Sequence, residues 1–326
     1  MGVGRLDGIS DQSLPAWDGS FASSTLTAML RMSDAVGQGG QIELARYVVQ
    51  WNVASEPSRG PNAWGDYRER FEAWLTDVRD LGLTAVVAPT SYDGGHPAST
   101  GSYTPALQAI LALALGAGEP IAYLEPWNEP NGQGRATATS AAELANAANA
   151  VCVSERGCTV IAGDLQDTTG FLAYERRYER ALTFAPSAWG IHPYVSVAAH
   201  DDTAVRSFAA GLPARGAGAE LWITEIAGLY CRRGTVLGQA RQARDVSYLV
   251  DGLLRDPAVA PAHAIYYGLA GGAGRSVPCT RSGGEDSELF GPGDQARAAA
   301  AVAFPTLAGD GSPLFGPSPA GGSAGL

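Results

Sequence analysis

The chain contains no lysine: all 22 of its basic residues are arginines, set against 33 acidic residues, for a net charge of -11. Such a surface repels a phosphate backbone unless its arginines gather on one face, and no basic run is longer than Arg232-Arg233, so nucleic acid is not an expected partner. Histidine is scarce, four in 326 residues, and His96, His192, His200 and His263 stand in no metal-ligand spacing with Asp, Glu or Cys. No metal or other cofactor is therefore expected. Long apolar runs are missing as well, which excludes a membrane-spanning helix, and the first twenty residues lack the basic start and apolar stretch of a secretion signal. The one Gly-x-Ser-x-Gly match, Gly321 to Gly325, falls in the Gly/Pro/Ser-rich C-terminal stretch and not on a predicted turn from strand to helix, which removes a serine-esterase reading. Only four cysteines occur, and they fall as two pairs, Cys152 with Cys158 and Cys231 with Cys279. An even count without Cys-x-x-Cys spacing favours disulfides over zinc and hence an oxidising compartment. The expectation is a secreted or extracytoplasmic protein whose signal has been trimmed; a cytoplasmic enzyme with free thiols is the alternative.

What is present is apolar sequence in short, regular portions. A hydrophobic fraction of 45% against 17% charged residues suits a chain that buries a large core. Eight strand-like segments recur, at Asp7 to Ser10, Leu44 to Trp51, Ala85 to Pro89, Ala122 to Trp127, Thr159 to Ala162, Trp189 to Tyr194, Leu221 to Thr224 and Ala264 to Gly268. Between them lie helical patterns. In Tyr67 to Leu81, Phe71, Trp74, Leu75 and Val78 mark one face. Ala141 to Val151 follows Ser140 with Glu143 three residues on, a capping-box spacing. Thr235 to Leu254 and Asp294 to Phe304 supply the last two helices. Strand and helix in strict alternation predict parallel βαβ units, and eight of them close into a single-domain (β/α)8 TIM barrel, here over residues 1–309. Residues 310–326 are rich in Gly, Pro and Ser without periodicity and read as a tail. A monomer is expected.

Barrels of this kind place their chemistry on the loops after the strand C-termini. The fourth strand ends in Trp127-Asn128-Glu129-Pro130 and the seventh in Thr224-Glu225, and these strands face each other across the rim. Glu129 and Glu225 are thus placed to flank one bound substrate. Two carboxylates across a glycosidic bond are what its hydrolysis requires; a separation of about 5–5.5 Å gives retention of configuration and about 6.5–9.5 Å gives inversion. Glu125, deeper on strand four, reads as a structural ion-pair partner. Among Trp17, Trp51, Trp127, Trp189 and Trp222, Trp51 is the candidate sugar-stacking platform and the others read as packing.

Trp-Asn-Glu-Pro after strand four with a Glu after strand seven resembles the clan A, or 4/7, superfamily of barrel glycosidases. Arg46 on strand two resembles the arginine that braces the nucleophile in that clan, and His192-Pro193-Tyr194 resembles its His-x-Tyr on strand six. The resemblance implies a retaining glycoside hydrolase acting on a β-linked glycan or an α-L-arabinofuranoside, with an oligo- or polysaccharide as substrate. It assigns Glu129 as acid/base, Glu225 as nucleophile and Asn128 as the donor to the sugar 2-hydroxyl. Arg46 and Tyr194 are then expected to stabilise ionised Glu225, His192 to line the pocket, and Glu129 to stay protonated until the sugar departs. Strand eight departs from the clan pattern: Tyr267 stands where many members carry a tryptophan under the cleavage point. A carbohydrate-binding barrel without catalysis is the alternative, and the presence of both glutamates weighs against it.

Overall fold

Eight parallel strands close on themselves, each edge paired, so that no strand is left with open backbone groups. In chain order they are β1 (Gly8–Ser10), β2 (Leu44–Gln50), β3 (Thr84–Thr90), β4 (Tyr123–Leu124), β5 (Thr159–Gln166), β6 (Ala188–His192), β7 (Glu220–Ile226) and, after the two strands of a small hairpin, β10 (His263–Tyr267). The computed structural model describes residues 6–10, 42–54, 67–92, 99–132, 136–155, 157–215, 218–232, 234–268, 286–289 and 297–303. The expected tail, Trp17, His96 and Cys279 lie outside them. Helices α1 (Tyr67–Leu81), α2 (Thr100–Gly116), α3 (Ala138–Glu155), α4 (Phe171–Ala181), α5 (Tyr194–Ala199), α6 (Thr203–Arg215), α7 (Gln239–Ser247) and α8 (Ala298–Ala303) accompany the strands. The barrel is thus a (β/α)8 TIM barrel, as the alternation predicts.

Strand periodicity sorts the side chains. Leu44, Val86, Ile161, Ala188, Trp222 and Ile265 point inward and fill the lower barrel as one apolar layer, with Tyr123 packed against it. Their outward neighbours meet the helices: Tyr47 of β2 lies against Phe71 and Trp74 of α1, ring centroids 5.7 and 5.2 Å away. Glycine is required where Gly190 of β6 passes β7, because a Cβ there would sit 2.9 Å from Thr224 Oγ1 and 3.1 Å from Ile161 Cγ2.

Several boundaries differ from the sequence reading for local reasons. β4 stops at Leu124 because Pro126 has no amide to donate, although Glu125 N and Asn128 N still bond to Val87 O and Pro89 O of β3. β5 runs four residues beyond Ala162, through a bulge at Gly163-Asp164-Leu165. Helix α3 starts at Ala138, so the cap is Thr137, whose hydroxyl accepts the Ser140 amide at 3.1 Å; Ser140 lies inside the helix. The helix expected from Thr235 begins only at Gln239. Thr235–Val236 instead forms a hairpin strand, β9, against β8 (Cys231–Arg232), with Gly234 supplying a positive φ of 82° between them. After α7 the chain continues as one wider π-helical segment, Tyr248–Leu253. The Cys152–Cys158 disulfide is formed and joins the end of α3 to the start of β5. Cys231 is also disulfide-bonded and buried, while its expected partner Cys279 lies outside the described residues. Among the described residues no helix is long and apolar enough to cross a membrane.

Candidate active site

Above the apolar layer the barrel interior changes character, and at its centre stands Arg46, fully buried on β2. It donates through Nε to both oxygens of Glu125, at 2.9 and 3.1 Å, and through Nη2 to Glu125 Oε2 at 2.7 Å. The same Nη2 reaches Asn128 Oδ1 at 2.8 Å and Asp164 Oδ2 at 3.3 Å, while Nη1 donates to Glu225 Oε2 at 2.5 Å. One guanidinium thereby orients four side chains from β5, β7 and the two ends of the β4 loop, an arrangement that its rigid fork of donors permits and an ammonium does not.

Backbone irregularities aim the acidic groups inward. β7 carries an extra residue relative to β10 between Ile223 and Ile226, which turns both Thr224 and Glu225 into the barrel. The bulge on β5 does the same for Asp164, whose φ of 53° lies in the left-handed region. Glu129 is also left-handed, at φ 49°, in the loop after β4. That loop is pinned to β5 by Asn131, whose amide nitrogen donates to Gln166 O at 2.7 Å and whose oxygen accepts from Gln166 N at 2.9 Å. Tyr194 begins α5, a helix capped by Asp167, which accepts the amides of Val195 and Ser196 at 2.8 and 2.6 Å. So placed, the Tyr194 hydroxyl donates to Glu225 Oε1 at 2.9 Å.

His192, at the end of β6 and fully buried, connects the two halves of the site. Its Nδ1 lies 3.0 Å from Glu129 Oε1 and its Nε2 lies 2.6 Å from Asp164 Oδ1. Asp164 Oδ1 also accepts from Thr224 Oγ1 at 2.8 Å. A carboxylate oxygen of Glu129 and one of Glu225 come within 4.8 Å of each other. The two glutamate side chains keep 13% and 10% exposure, whereas Arg46, Glu125, Asp164 and His192 keep none. The glutamates are therefore what the site presents to a ligand, and the others stand behind them.

Burial and charge set the protonation of this cluster. Burial pulls the Arg46 guanidinium down, but Glu125, Asp164 and Glu225 outweigh it and raise it well above its ordinary value. Burial dominates at Glu125 and pushes its carboxyl up to about 8, against the opposing Arg46 charge. At Asp164 the charges of His192 and Arg46 prevail over burial and hold the carboxyl far below the usual range. Burial would depress His192, yet Asp164 and Glu225 raise it well above its ordinary value. Glu129 differs from expectation: burial raises it, but the hydrogen bond and charge of His192 win and hold it below the usual carboxylate range. The Tyr194 phenol is raised, first by burial and then by Glu225.

Two sets of three described side chains, Glu125 with Asp164 and His192, and Glu129 with His192 and Glu225, each bring ligand-type atoms within 4.8 Å of one another. Arg46 lies on carboxylate oxygens of both sets, Glu125 and Asp164 in the first and Glu225 in the second. Trp51 follows β2 at the rim, half-buried, its amide donating to Thr90 O at 2.8 Å. Tyr267 closes β10 opposite Ser10, also half-buried. The residue that sequence reasoning missed is Asp164. Its signal is Gly163-Asp164, a glycine followed by an acid just past the predicted end of strand five.

No protein-family model matches the chain, and no curated protein matches it. Solved structures do. A family 53 glycoside hydrolase catalytic domain from Ignisphaera aggregans superimposes with a TM-score of 0.65 at 13% identity, over 93% of this chain and 96% of that one. A family 5 subfamily 18 enzyme from Streptomyces cattleya, in complex with GlcNAc, gives 0.59 at 13% identity over 94% and 80%. A family 30 endoxylanase from Clostridium papyrosolvens C71 gives 0.52 at 15% over 93% and 72%. Across nearly its whole length the chain has the barrel fold of glycoside hydrolases of families 5, 30 and 53, the fold expected from its resemblance to clan A.

Proposed function

We propose that the chain is a retaining glycoside hydrolase, with Glu225 as nucleophile and Glu129 as acid/base, cleaving a β-glycosidic or α-L-arabinofuranosidic bond by double displacement. The observation that carries this reading is that an oxygen of Glu129 and one of Glu225 lie within 4.8 Å of each other across the barrel mouth, which favours the roughly 5–5.5 Å spacing of retaining pairs over the roughly 6.5–9.5 Å of inverting ones. Arg46 and Tyr194 each hold one oxygen of Glu225, which fixes its line of attack on the anomeric carbon. Asn128, held through its oxygen by Arg46, turns its amide nitrogen to the sugar 2-hydroxyl, where a contact strengthens as charge grows on the ring. Tyr267 and Trp51 supply the aromatic floor and wall of the cleft. The neighbouring folds include an endoxylanase, an endo-β1,6-glucanase and an enzyme holding GlcNAc, which sets the first substrates to try. The disulfide at Cys152–Cys158 supports placement outside the cytoplasm.

The test is a product screen of the wild type and Glu225→Ala against xylans, β-glucans, GlcNAc-containing glycans and arabinofuranosides, with anomeric configuration followed by proton NMR. Hydrolysis with retention by the wild type, its loss in Glu225→Ala, and recovery by azide as a glycosyl adduct of inverted configuration are expected. Full activity in Glu225→Ala, or an inverted product from the wild type, overturns the assignment.

A further inference from the structure

His192 meets a carboxylate oxygen at each of its ring nitrogens, Glu129 at 3.0 Å and Asp164 at 2.6 Å. Neutral imidazole carries one N–H, so two ionised carboxylates on one ring require either the imidazolium or a proton on one of the acids. Both arrangements contain the same number of protons. We infer that Asp164 is a positioning residue that holds, through His192, the proton which Glu129 delivers, so that the acid of this site is the Glu129–His192–Asp164 chain rather than Glu129 alone.

This deepens the glycosidase reading and rests on it for the step that consumes the proton. In the resting chain the proton sits on His192 Nδ1 and Glu129 is a carboxylate. As the leaving oxygen gains charge, the Nδ1–H bond breaks with its electron pair left on nitrogen, and an O–H bond forms at Glu129. That O–H then breaks as the proton passes to the leaving oxygen. His192 ends neutral, with its remaining N–H still donated to Asp164. Cost and direction of this transfer depend on every charge facing the ring. These are Arg46 from β2, whose Nη2 is 3.5 Å from His192 Nε2, Glu125 and Glu129 around β4, Asp164 from β5, and Tyr194 and Glu225 on the far side. Arg46 disfavours the imidazolium, and Asp164 makes the short contact that offsets it. Thr224 fixes the Asp164 oxygen that receives His192 Nε2–H, so the ring cannot turn to offer the wrong nitrogen to Glu129.

Asp164→Asn tests the idea with little backbone cost, since asparagine also tolerates a φ of 53°. The readout is nitrogen-15 NMR of the four histidine rings, with His192→Gln assigning the peak. Wild-type His192 is expected to stay doubly protonated through neutral pH and to lose that proton about one pH unit or more lower in Asp164→Asn. The basic limb of kcat/KM should move down with it, and kcat/KM should fall more for substrates with poor leaving groups than for good ones. An unchanged His192 titration in Asp164→Asn overturns the inference. Should that variant not fold, Glu129→Gln decides: His192 held by Asp164 stays protonated past neutrality, whereas a return to an ordinary imidazole titration refutes the role of Asp164. The histidine spectrum needs no substrate. A wild type that titrates as expected but hydrolyses nothing sinks the glycosidase reading alone, while retention with an unmoved histidine sinks only this inference.

Discussion

Replacing Arg46 by methionine tests how much of the barrel interior depends on one cation. Arg46 is fully buried and satisfies oxygens on Glu125, Asp164, Glu225 and Asn128 at distances from 2.5 to 3.3 Å. Methionine fills much of the volume but leaves the carboxylates facing one another without their shared donor. Breaking a buried ion pair from one side costs about 3–5 kcal/mol, a large part of the roughly 5–15 kcal/mol that a domain has. The loss depends on pH. Glu125 already has a folded value of about 8, raised above its unfolded value, so its contribution is complete below the unfolded value and fades as pH rises through 8. Removing Arg46, which lowers that value, widens the window upward. Urea unfolding of wild type and Arg46→Met at pH 5.5 and 8.5 should therefore show a larger deficit at the higher pH. The double variant Arg46→Met with Glu125→Leu should recover part of it, because one of the two fully buried stranded acids is gone. A deficit below about 1 kcal/mol, or one equal at both pH values, refutes the view that Arg46 neutralises the interior.

Tyr194→Phe removes the hydroxyl on Glu225 Oε1; a hydrogen bond to a charged group is worth about 1.5–3 kcal/mol, so kcat/KM should fall roughly ten- to a hundredfold with little change in unfolding. Steady-state kinetics of the variant decides this. Gly190→Ala forces a methyl against Thr224 and Ile161 and should cost about 1–3 kcal/mol in urea unfolding. The pair Cys152→Ser and Cys158→Ser opens a short loop, six residues in separation, and should cost about 2 kcal/mol; a larger loss would mean the bridge does more than limit chain entropy.

The barrel was legible because its signals are periodic and repeated. Inward and outward residues alternate along the strands except at the bulges of β5 and β7, and the α1 face at Phe71, Trp74, Leu75 and Val78 appears in the structure as read. Glu129, Asn128, Arg46, His192, Tyr194 and Glu225 meet in one cluster because motif positions after the strands map directly onto the rim. Reading failed where local geometry overrides pattern. Asp164 faces inward only because the Gly163 bulge shifts parity, which no count of alternating residues predicts. Thr235–Val236 became a strand because pairing with Cys231–Arg232 outweighs the helical periodicity that follows. The low protonation of Glu129 was hidden because it arises from a histidine 63 positions away.

Gln242 has a consequence for engineering. Its amide nitrogen donates to Gly228 O, Ser287 O and Glu288 O, and Arg297 holds Asp286 at 2.6 and 2.8 Å, so the chain beyond strand β10 returns to a fixed berth beside β7. Gly268, where the chain leaves that strand, lies against Ser287, so close that a Cβ would sit 2.6 Å from its hydroxyl. Gly268 and the segment 286–289 are thus clasped together by Gln242, Arg297 and the close approach of Gly268 to Ser287. They are accordingly shared anchor points: replacing Gln242 or Arg297 is expected to loosen the end of β10 and the turn after β7 together, while changes elsewhere on the rim leave that clasp intact.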